Sequence, residues 1–331
     1  MPSVSVSGMF AWAAAAAVLS FLLGFASRGL ARQTGAIDQP TGGRKIHTRP
    51  VPLLGGLGIG LVLVCFALLQ HLYGFAASLL ILMIGGALDD KFNLKPKWQF
   101  GFILVACLTA VLTGTNVVHI TNWTGGAPVE LGWLGYVLAF AWLVIVTFAM
   151  KFMDGLDGLV SGQTVIGAAL IAVLALSAKY YQPDVALLAF VVGGAFLGFL
   201  PANFHPAKQF LGESGATIAG FSLGFLSILG GAKLATGLMA LGFPLVDAGF
   251  VVLGRVARGA PFWKGDDTHL HFKLLKAGLG QRQIVFLIWG ISLAVGLVAL
   301  DLQSIGKVAL LALLAIVVLA LGAWASTRKA V

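Results

Sequence analysis

Two aspartates three residues apart follow a long apolar run and are the first candidates for chemistry. Asp154 and Asp157 lie in the segment KFMDGLDGLVSG, residues 151–162, directly after LGYVLAFAWLVIVTFAM. On a helix this spacing would place both carboxylates on one face, and the neighbouring glycines would let the backbone approach a ligand closely. An ionisable residue near membrane depth is a functional candidate by default. The alternative is an acidic turn that caps the start of the next helix.

A second acidic pair, Asp89 and Asp90, ends another apolar run in the segment GALDDKFNLKPKW, residues 86–98. Adjacent carboxylates repel each other, so a divalent cation or a basic partner would stabilise them. One of the two pKa values could then be raised enough for proton transfer. The alternative is a solvated loop in which Lys91, Lys95 and Lys97 balance the negative charge.

Glycines bracket a further acid, Glu213, in the segment NFHPAKQFLGESGA, residues 203–216. Pro206 would end the preceding helix, and a new helix would begin at the glycine-rich stretch. Helix N-termini of this kind bind phosphate or metal-bound phosphate. Glu213 is therefore either a metal ligand or a first-turn acid that interacts favourably with the helix dipole.

Two histidines stand among basic residues in the longest polar segment, RVARGAPFWKGDDTHLHFKLLKAGLGQRQ, residues 255–283. His269 and His271 would face the same way in an extended segment and diverge on a helix. Together with the surrounding Lys and Arg they would suit a polyanion such as a diphosphate. The alternative is a basic interfacial helix that meets anionic lipid headgroups. Lys45 lies in the segment QPTGGRKIHTRPVPLLGGLGIG, residues 39–60. It is either a positive charge that only reports membrane topology or part of a phosphate clamp.

The composition requires a membrane as the solvent for the elements that carry these residues. Hydrophobic residues make up 59% of the 331 residues and charged residues only 10%, whereas soluble domains are about a quarter charged. The net charge of +9 is therefore no signal for nucleic acid, because excess Lys and Arg in a membrane protein first report topology. Cys65 and Cys107 both lie in apolar runs, which predicts no disulfide framework.

Eleven apolar runs predict an all-α, polytopic membrane protein with about eleven transmembrane helices in one domain, residues 1–331. The N-terminal run lacks a basic leader, so it is interpreted as a first span and not as a cleaved signal peptide. The runs cover about residues 8–27, 52–72, 75–88, 98–115, 132–150, 158–178, 184–202, 214–230, 233–254, 283–300 and 305–325.

The distribution of charge predicts which side each loop faces. With the N-terminus outside and the C-terminus in the cytoplasm, 18 of the 21 Lys and Arg residues fall on the inner side, as the positive-inside rule requires. Eight of the twelve acids and four of the six histidines fall there too, which that rule does not explain. The inner segments that hold them are residues 28–51, 89–97, 151–157, 201–213, 255–282 and 326–331.

Five motifs in this order resemble one enzyme family. They are RKIHxxPVPxxGG, the DD pair followed by basic residues, MDGLDGL, NFxPAKxFLGxSG and HLHxxLLxxGLxQRQ, together spanning about residues 35–285. This set resembles the polyprenyl-phosphate N-acetylhexosamine-1-phosphate transferases. Its last motif is more similar to the N-acetylglucosamine branch than to the phospho-N-acetylmuramoyl-pentapeptide branch.

The resemblance implies an activity and its partners. Such enzymes transfer a sugar 1-phosphate, here most simply N-acetylglucosamine 1-phosphate, from a UDP-sugar to undecaprenyl or another polyprenyl phosphate. UMP is released, and a lipid-linked glycan for the cell wall, lipopolysaccharide or teichoic acid is begun. Members of this family use Mg2+, have a cytoplasmic active site and reside in the inner membrane, so the resemblance implies the same for this chain. A homodimer is left open.

The resemblance also implies roles for the candidate residues. Asp154 would lie at the reaction centre and help to bind the metal, and Asp89 and Asp90 would handle the acceptor phosphate or support the metal site. Glu213 would be the principal metal ligand. The substrate would be bound by six residues, namely Lys45, Lys97, Lys151, Asp157, His269 and His271.

Three departures from the family pattern concern these roles. The family usually has Asn in place of Lys151, Asp in place of Glu213 and His in place of Phe272. An ammonium cannot bind a cation, and the first two changes have opposite charge, so we hypothesise that Lys151 pairs with Glu213. The ammonium would then partly replace the charge of Mg2+, or the metal would shift toward Asp89, Asp90 and Asp154.

Three rival functions are left open by the residues. Buried acids in a polytopic protein also mark the ion pathways of transporters, although transporters place them at the membrane midplane and often show inverted repeats. A non-catalytic scaffold that binds lipid-linked sugars is the second rival. Activity of the phospho-N-acetylmuramoyl-pentapeptide transferase type is the third.

Overall fold

The computed structural model describes residues 5–40, 47–120, 127–230, 237–239, 241–261 and 267–328, and they are predominantly helical. Two short antiparallel pairs accompany the helices, β1 (Ile37–Asp38) with β2 (Val51–Pro52) and β3 (His119–Ile120) with β4 (Val129–Glu130). The helices are α1 (Val6–Thr34), α2 (Gly55–Leu69), α3 (Tyr73–Phe92), α4 (Pro96–Leu112), α5 (Leu134–Met153), α6 (Leu159–Leu176), α7 (Pro183–Asn203), α8 (Gly212–Leu229), α9 (Gly242–Ala257), α10 (Leu270–Lys276), α11 (Gln281–Asp301) and α12 (Ser304–Thr327).

Local sequence sets several helix ends. The hydroxyl of Ser5 accepts a hydrogen bond from the backbone N–H of Gly8 at 3.2 Å and caps α1. Gly35 ends that helix at φ 75°, a conformation that glycine adopts without strain. Pro96 and Pro183 open α4 and α7, where the missing N–H has no helical partner in any case.

Within the described residues, six helices are long and apolar enough to cross a membrane, namely α1, α5, α6, α7, α11 and α12. The helices α2 and α4 are apolar but shorter. These lengths and compositions confirm a helical membrane protein. The count of eleven spans and the orientation of the termini stay predictions.

Most predicted apolar runs correspond to helices, and three local differences bear on the site. The helix α3 continues through Asp89 and Asp90 to Phe92, because Asn93 in the left-handed conformation is what ends it. A helix also forms inside the predicted 255–282 loop, since Leu270, Leu274 and their neighbours pack against the core. The predicted run 233–254 lies partly outside the described residues, and α9 begins only at Gly242.

Glycines bring the helices around α8 into backbone contact. A Cβ at Gly56 of α2 would lie 2.1 Å from the backbone nitrogen of Gly215, and one at Gly86 of α3 would lie 2.2 Å from that of Ser214. Such small residues let helices approach closely in a membrane protein. The beginnings of α2 and α8 and the end of α3 are therefore held together, which places Glu213 beside Asp90.

Candidate active site

One cavity of about 990 Å³ collects polar residues from the ends of many helices. Its wall includes Lys151 and Arg255 together with His47 and His269. The acids on its wall come from four separate segments and are Asp38, Asp89, Asp90, Asp154, Asp157 and Glu213. These residues all belong to segments that the sequence assigns to the inner side of the membrane, and the structure brings them to one cavity.

Lys151 and Glu213 form an ion pair in the wall of this cavity. The Nζ atom of Lys151 donates to Oε1 of Glu213 at 2.5 Å, and both side chains are largely buried. The same ammonium donates to Oε1 of Gln99 at 2.7 Å. Gln99 in turn donates to Oδ1 of Asp89 at 2.7 Å. The hypothesis that Lys151 and Glu213, which both depart from the family pattern, form an ion pair is confirmed.

Asp89 and Asp90 hold backbone in place. Oδ1 of Asp89 accepts from the backbone N–H of Leu94 at 2.9 Å, which fastens the turn between α3 and α4. Oδ1 of Asp90 accepts from the backbone N–H of Glu213 at 2.8 Å, which satisfies one of the free donors at the start of α8. Oδ2 of Asp90 lies against Gly212, where a Cβ would meet it at 2.3 Å at a φ of +74°, so only glycine fits there.

Asp154 and Asp157 lie in the turn between α5 and α6 and not on a helix, so the expected shared helix face is wrong. Asp154 follows the last residue of α5, and Gly158 in the left-handed conformation starts α6. The turn is favoured because two glycines interrupt the helix pattern. Both carboxylates nevertheless reach the same cavity.

Asp154 is open to the cavity, and no hydrogen bond to its carboxylate occurs within the described part of the chain. Burial by the surrounding protein raises the pKa of Asp154 to about 7, and the negative charges of Glu213 and Asp157 act in the same direction. A carboxyl group with such a pKa lies near the balance between its neutral and ionised forms at physiological pH. Asp154 is therefore the acid in this cavity best suited to receive a cation or a proton.

The carboxylate of Asp157 joins its turn to the segment after α7. Oδ2 of Asp157 accepts from Nδ1 of His205 at 2.9 Å and from the backbone N–H of Ala207 at 3.0 Å. Arg282 at the start of α11 donates to the carbonyl of His205 at 2.9 Å. Three of the predicted loops are thereby fixed to one another beside the cavity.

His269 is oriented by a buried acid of α9. Its Nδ1 lies 2.8 Å from Oδ2 of Asp247, whose other oxygen accepts from the backbone N–H of Leu270 at 2.9 Å. His269 immediately precedes α10 while His271 lies within it, yet their rings stack at 5.5 Å. The predicted divergence on a helix does not occur, because only one of the two residues is helical.

His271 lies behind the cavity wall. Its side chain is buried, and a Cβ on Gly155 would meet its Nε2 at 2.4 Å. Burial lowers the pKa of His271 to about 4, although the negative charge of Asp247 opposes this. The ring is therefore neutral at physiological pH, and Phe272 occupies the adjacent part of the wall.

The two remaining predicted residues are not brought to the cavity by the described structure. Lys45 lies outside the described residues. Lys97 is exposed, and its Nζ lies 5.4 Å from the ring centre of Trp98, because the second position of α4 points away from the cavity.

Three polar residues of the site were not given a role by sequence reasoning. Gln99 is an ordinary neutral residue near a helix start, and nothing local distinguishes it. Asp247 is the only acid in the apolar run 233–254, which was a usable signal. Arg255, counted only among surrounding cations, is buried in the cavity wall and lies 5.8 Å from the ring centre of Phe152.

The donor set does not fit a divalent metal resident on Glu213. Mg2+ prefers carboxylate oxygens, water and substrate phosphates, commonly through one or two carboxylates. Here the ammonium of Lys151 lies on Glu213, and Asp89 and Asp90 each use an oxygen for backbone. Asp247, His269 and His271 could also hold a metal, since one ligand atom from each lies within 4.8 Å of the others. His269 and Asp247, however, already share a hydrogen bond.

Comparison with known proteins agrees with the motifs. Residues 72–231 match the family described as Glycosyl transferase family 4, whose members are generally dependent on a divalent metal. The match includes the two acidic pairs, Lys151 and Glu213. It leaves the histidine segment outside.

Similar proteins extend this likeness over most of the chain. A probable undecaprenyl-phosphate N-acetylglucosaminyl 1-phosphate transferase of Bacillus subtilis (strain 168) is 35% identical, over 83% of this chain and 79% of that protein. The decaprenyl-phosphate N-acetylglucosaminephosphotransferase of Mycolicibacterium smegmatis is 31% identical, over 87% and 80%. A phospho-N-acetylmuramoyl-pentapeptide-transferase of Staphylococcus epidermidis is 29% identical, over 77% and 76%. With its motifs, its helical membrane fold and these similarities, the chain belongs to glycosyl transferase family 4, a family of enzymes that transfer sugar 1-phosphates.

Proposed function

We propose that the protein transfers N-acetylglucosamine 1-phosphate from its UDP-sugar to undecaprenyl phosphate, or to a closely related polyprenyl phosphate, and releases UMP. The observation that carries the proposal is the single cavity in which six acids, Lys151 and Arg255 meet. Its volume of about 990 Å³ is at the upper end of the range for ligand sites. Two anionic substrates must meet there, and fixed charges from several helices would orient them.

The proposed setting is the inner membrane, with the cavity on the cytoplasmic side and the whole of residues 1–331 in one domain. Eleven spans with the N-terminus outside would put 18 of 21 Lys and Arg residues on that side, in agreement with the positive-inside rule. The UDP-sugar would then enter from water and the polyprenyl phosphate from the lipid. The lipid-linked product would begin a cell-wall or surface glycan.

The proposed reaction is a direct displacement at phosphorus. An oxygen of the lipid phosphate attacks the β-phosphorus of the UDP-sugar and forms a new P–O bond. The bond from that phosphorus to the bridging oxygen breaks, and UMP leaves with the electron pair. A two-step route in which Asp154 first takes the sugar phosphate is the alternative.

The residue roles are proposed from the position and contacts of each side chain. Asp154 is proposed at the reaction centre, because its carboxylate is open to the cavity. Lys151 and Arg255 would offset negative charge on the diphosphate, while His269 would donate to it in the orientation set by Asp247.

The other predicted residues are proposed to support this centre. Asp89 would fix Gln99 at the start of α4, and Asp90 would fix Glu213 at the start of α8. Asp157 would fix the neighbouring loop on the nucleotide side, and His271 would support the 154–155 turn from behind. Phosphate contacts are also proposed for Lys45 and, at the surface outside the cavity, for Lys97. Mg2+ is the cofactor that family membership implies, and when bound it would offset phosphate charge.

The N-acetylglucosamine substrate is favoured over the muramoyl-pentapeptide one by the relatives. Proteins named for N-acetylglucosamine transfer reach 35% and 31% identity, against 29% over a smaller share of the chain for the muramoyl-pentapeptide enzyme. The end of the histidine motif, HLHFKLLKAGLGQRQ, is similar to the same branch. The transporter rival is disfavoured because the acids of the cavity lie at helix ends.

The test is UMP release by the purified protein in lipid nanodiscs. Undecaprenyl phosphate would be supplied with UDP-N-acetylglucosamine, UDP-N-acetylgalactosamine or UDP-N-acetylmuramoyl-pentapeptide, with Mg2+ or with EDTA. We expect release with the first sugar nucleotide and only in the presence of the lipid phosphate. Absence of UMP with every donor and metal condition would refute the proposal.

A matched pair of variants localises the activity. Asp154→Asn removes the proposed central charge and should reduce turnover at least about 100-fold. Asp184→Asn removes an exposed acid in the first turn of α7, far from the described cavity wall, and should retain the wild-type rate. Equal rates for the two variants would contradict the assignment of the cavity as the active site.

A further inference from the structure

The ion pair in the cavity wall bears on how a divalent metal reaches this site. Lys151 is held from two sides, by Oε1 of Glu213 at 2.5 Å and by Oε1 of Gln99 at 2.7 Å. Gln99 is itself held by Asp89 and by the carbonyl of Leu94. The ammonium therefore belongs to a built network and is not a mobile surface charge.

The backbone around Glu213 is equally constrained. Its N–H is bonded to Asp90, and the preceding Gly212 has no room for a Cβ beside that carboxylate. The start of α8 is in contact with the backbone of α2 near Gly56. Glu213 thus cannot leave Lys151 by a shift of the helix, and a metal would have to displace the ammonium itself.

A divalent cation next to this ammonium would meet repulsion between like charges. Of the carboxylates around it, Asp154 is the one that faces the cavity without a hydrogen bond in the described residues. One carboxylate is a weak site for Mg2+, which usually completes its shell with water and with the phosphates of a bound nucleotide. A diphosphate would supply the missing oxygens and would also offset the charge of Lys151.

We propose that Lys151 is a built-in counter-ion of Glu213 that keeps the substrate-free cavity clear of divalent metal. A metal would then be held only in the presence of the UDP-sugar, and the groups that would hold it are Asp154 and the diphosphate. This inference rests on the proposed function for the identity of the nucleotide. It makes the donor diphosphate a required part of the metal site, in contrast to a site in which the metal is resident before substrate arrives.

The test measures metal binding directly and needs no turnover. Mn2+ would be titrated into the full-length protein in nanodiscs, with free Mn2+ followed by electron paramagnetic resonance. The titration would be run alone and with UDP-N-acetylglucosamine, always without lipid phosphate. We expect wild-type protein to bind Mn2+ at least about tenfold more tightly with the sugar nucleotide than without it, after correction for Mn2+ bound by free nucleotide.

Variants assign the effect to the ammonium. Lys151→Asn, and Lys151→Met as a second form that keeps most of the length of the side chain without its charge, should bind Mn2+ at least about tenfold more tightly than wild type without nucleotide. Lys95→Asn removes an exposed lysine outside the described cavity wall and should match wild type. The Asp247, His269 and His271 cluster is the same in all four proteins, so it adds no difference.

Two outcomes would overturn the inference. One is tight Mn2+ binding by the nucleotide-free wild type that the sugar nucleotide does not improve, and this arm requires no variant. The other is unchanged Mn2+ affinity in folded Lys151 variants. Failure of the proposed function can be distinguished from failure of this inference. The first would be seen as missing UMP release. The second is decided by the Mn2+ affinities of nucleotide-free wild type and Lys151→Asn, which require neither turnover nor the sugar nucleotide.

Discussion

Gly155 separates the proposed reaction centre from the buried histidine ring, so replacing it with alanine tests whether that contact positions Asp154. A Cβ at residue 155 would lie 2.4 Å from Nε2 of His271 and 2.9 Å from Cζ of Phe272. The backbone at Gly155 is outside the left-handed region. Alanine is therefore allowed by the backbone itself, and the effect of Gly155→Ala comes from these two contacts.

The size of the effect follows from the distances. Ordinary contacts of a Cβ begin at 3.4 Å, so the turn or the ring must move by about 1 Å. The ring of His271 is buried and packs on Phe272 at 4.3 Å, which leaves the turn with Asp154 as the part that moves. A displacement of about 1 Å at a reaction centre can cost about 100-fold in rate, and overpacking of this kind costs about 1–3 kcal/mol of stability.

We expect Gly155→Ala to fold, to melt a few degrees below wild type and to release UMP with kcat/KM reduced about 100-fold. The assay is the UMP-release measurement with thermal melting of the same nanodisc preparation. Gly101→Ala is the control, because a Cβ at that position of α4 would meet nothing within 4 Å. A Gly155→Ala rate within about threefold of wild type would refute the assignment of the 154–155 turn to the reaction centre.

Further substitutions test contacts that lie farther from the proposed reaction centre. Asp247→Asn keeps the shape but removes the charge on the 2.8 Å hydrogen bond to His269. Since such bonds contribute about 1.5–3 kcal/mol, calorimetry should show UDP-N-acetylglucosamine affinity reduced about 10- to 100-fold, and unchanged affinity would contradict a role for this pair. Trp289→Phe removes the 3.1 Å hydrogen bond to the carbonyl of Leu159. Chemical or thermal unfolding should report a free energy of unfolding lower by about 1 kcal/mol. An unchanged free energy of unfolding would mean that the bond does not stabilise the start of α6. Gly56→Ala would place a Cβ 2.1 Å from the backbone of α8, so size-exclusion chromatography should show little folded protein, whereas a normal monodisperse peak would show that α2 and α8 can separate at low cost.

The helices were accessible to sequence reasoning because an apolar run of about 20 residues has few alternatives in a membrane protein. The loops of the site could be predicted because charged residues are rare in this chain, so that each cluster of them indicates a polar segment. The ion pair between Lys151 and Glu213 could be predicted because two neighbouring roles departed from the family pattern with opposite charge.

Other features depend on contacts between distant segments. The hydrogen bond from His269 to Asp247 joins residues 22 apart in the sequence, and that from Lys151 to Gln99 joins residues 52 apart. Neither distance corresponds to a local pattern. The helical extension of α3 through the acidic pair was missed because carboxylates usually disfavour the C-terminal end of a helix, whereas here they are compensated by Gln99 and by the start of α8.

The bond between Asp90 and the start of α8 also constrains how the protein can be made. Its two partners are 123 residues apart, so ribosomes complete α4 to α7 before the donor for this carboxylate exists. Until then the nascent chain holds an acidic pair whose final partner is absent, and the end of α3 lacks its permanent neighbour. Assembly of the catalytic cavity is consequently a late event in biogenesis, coupled to the insertion of α8, and no fragment ending before Glu213 can contain it.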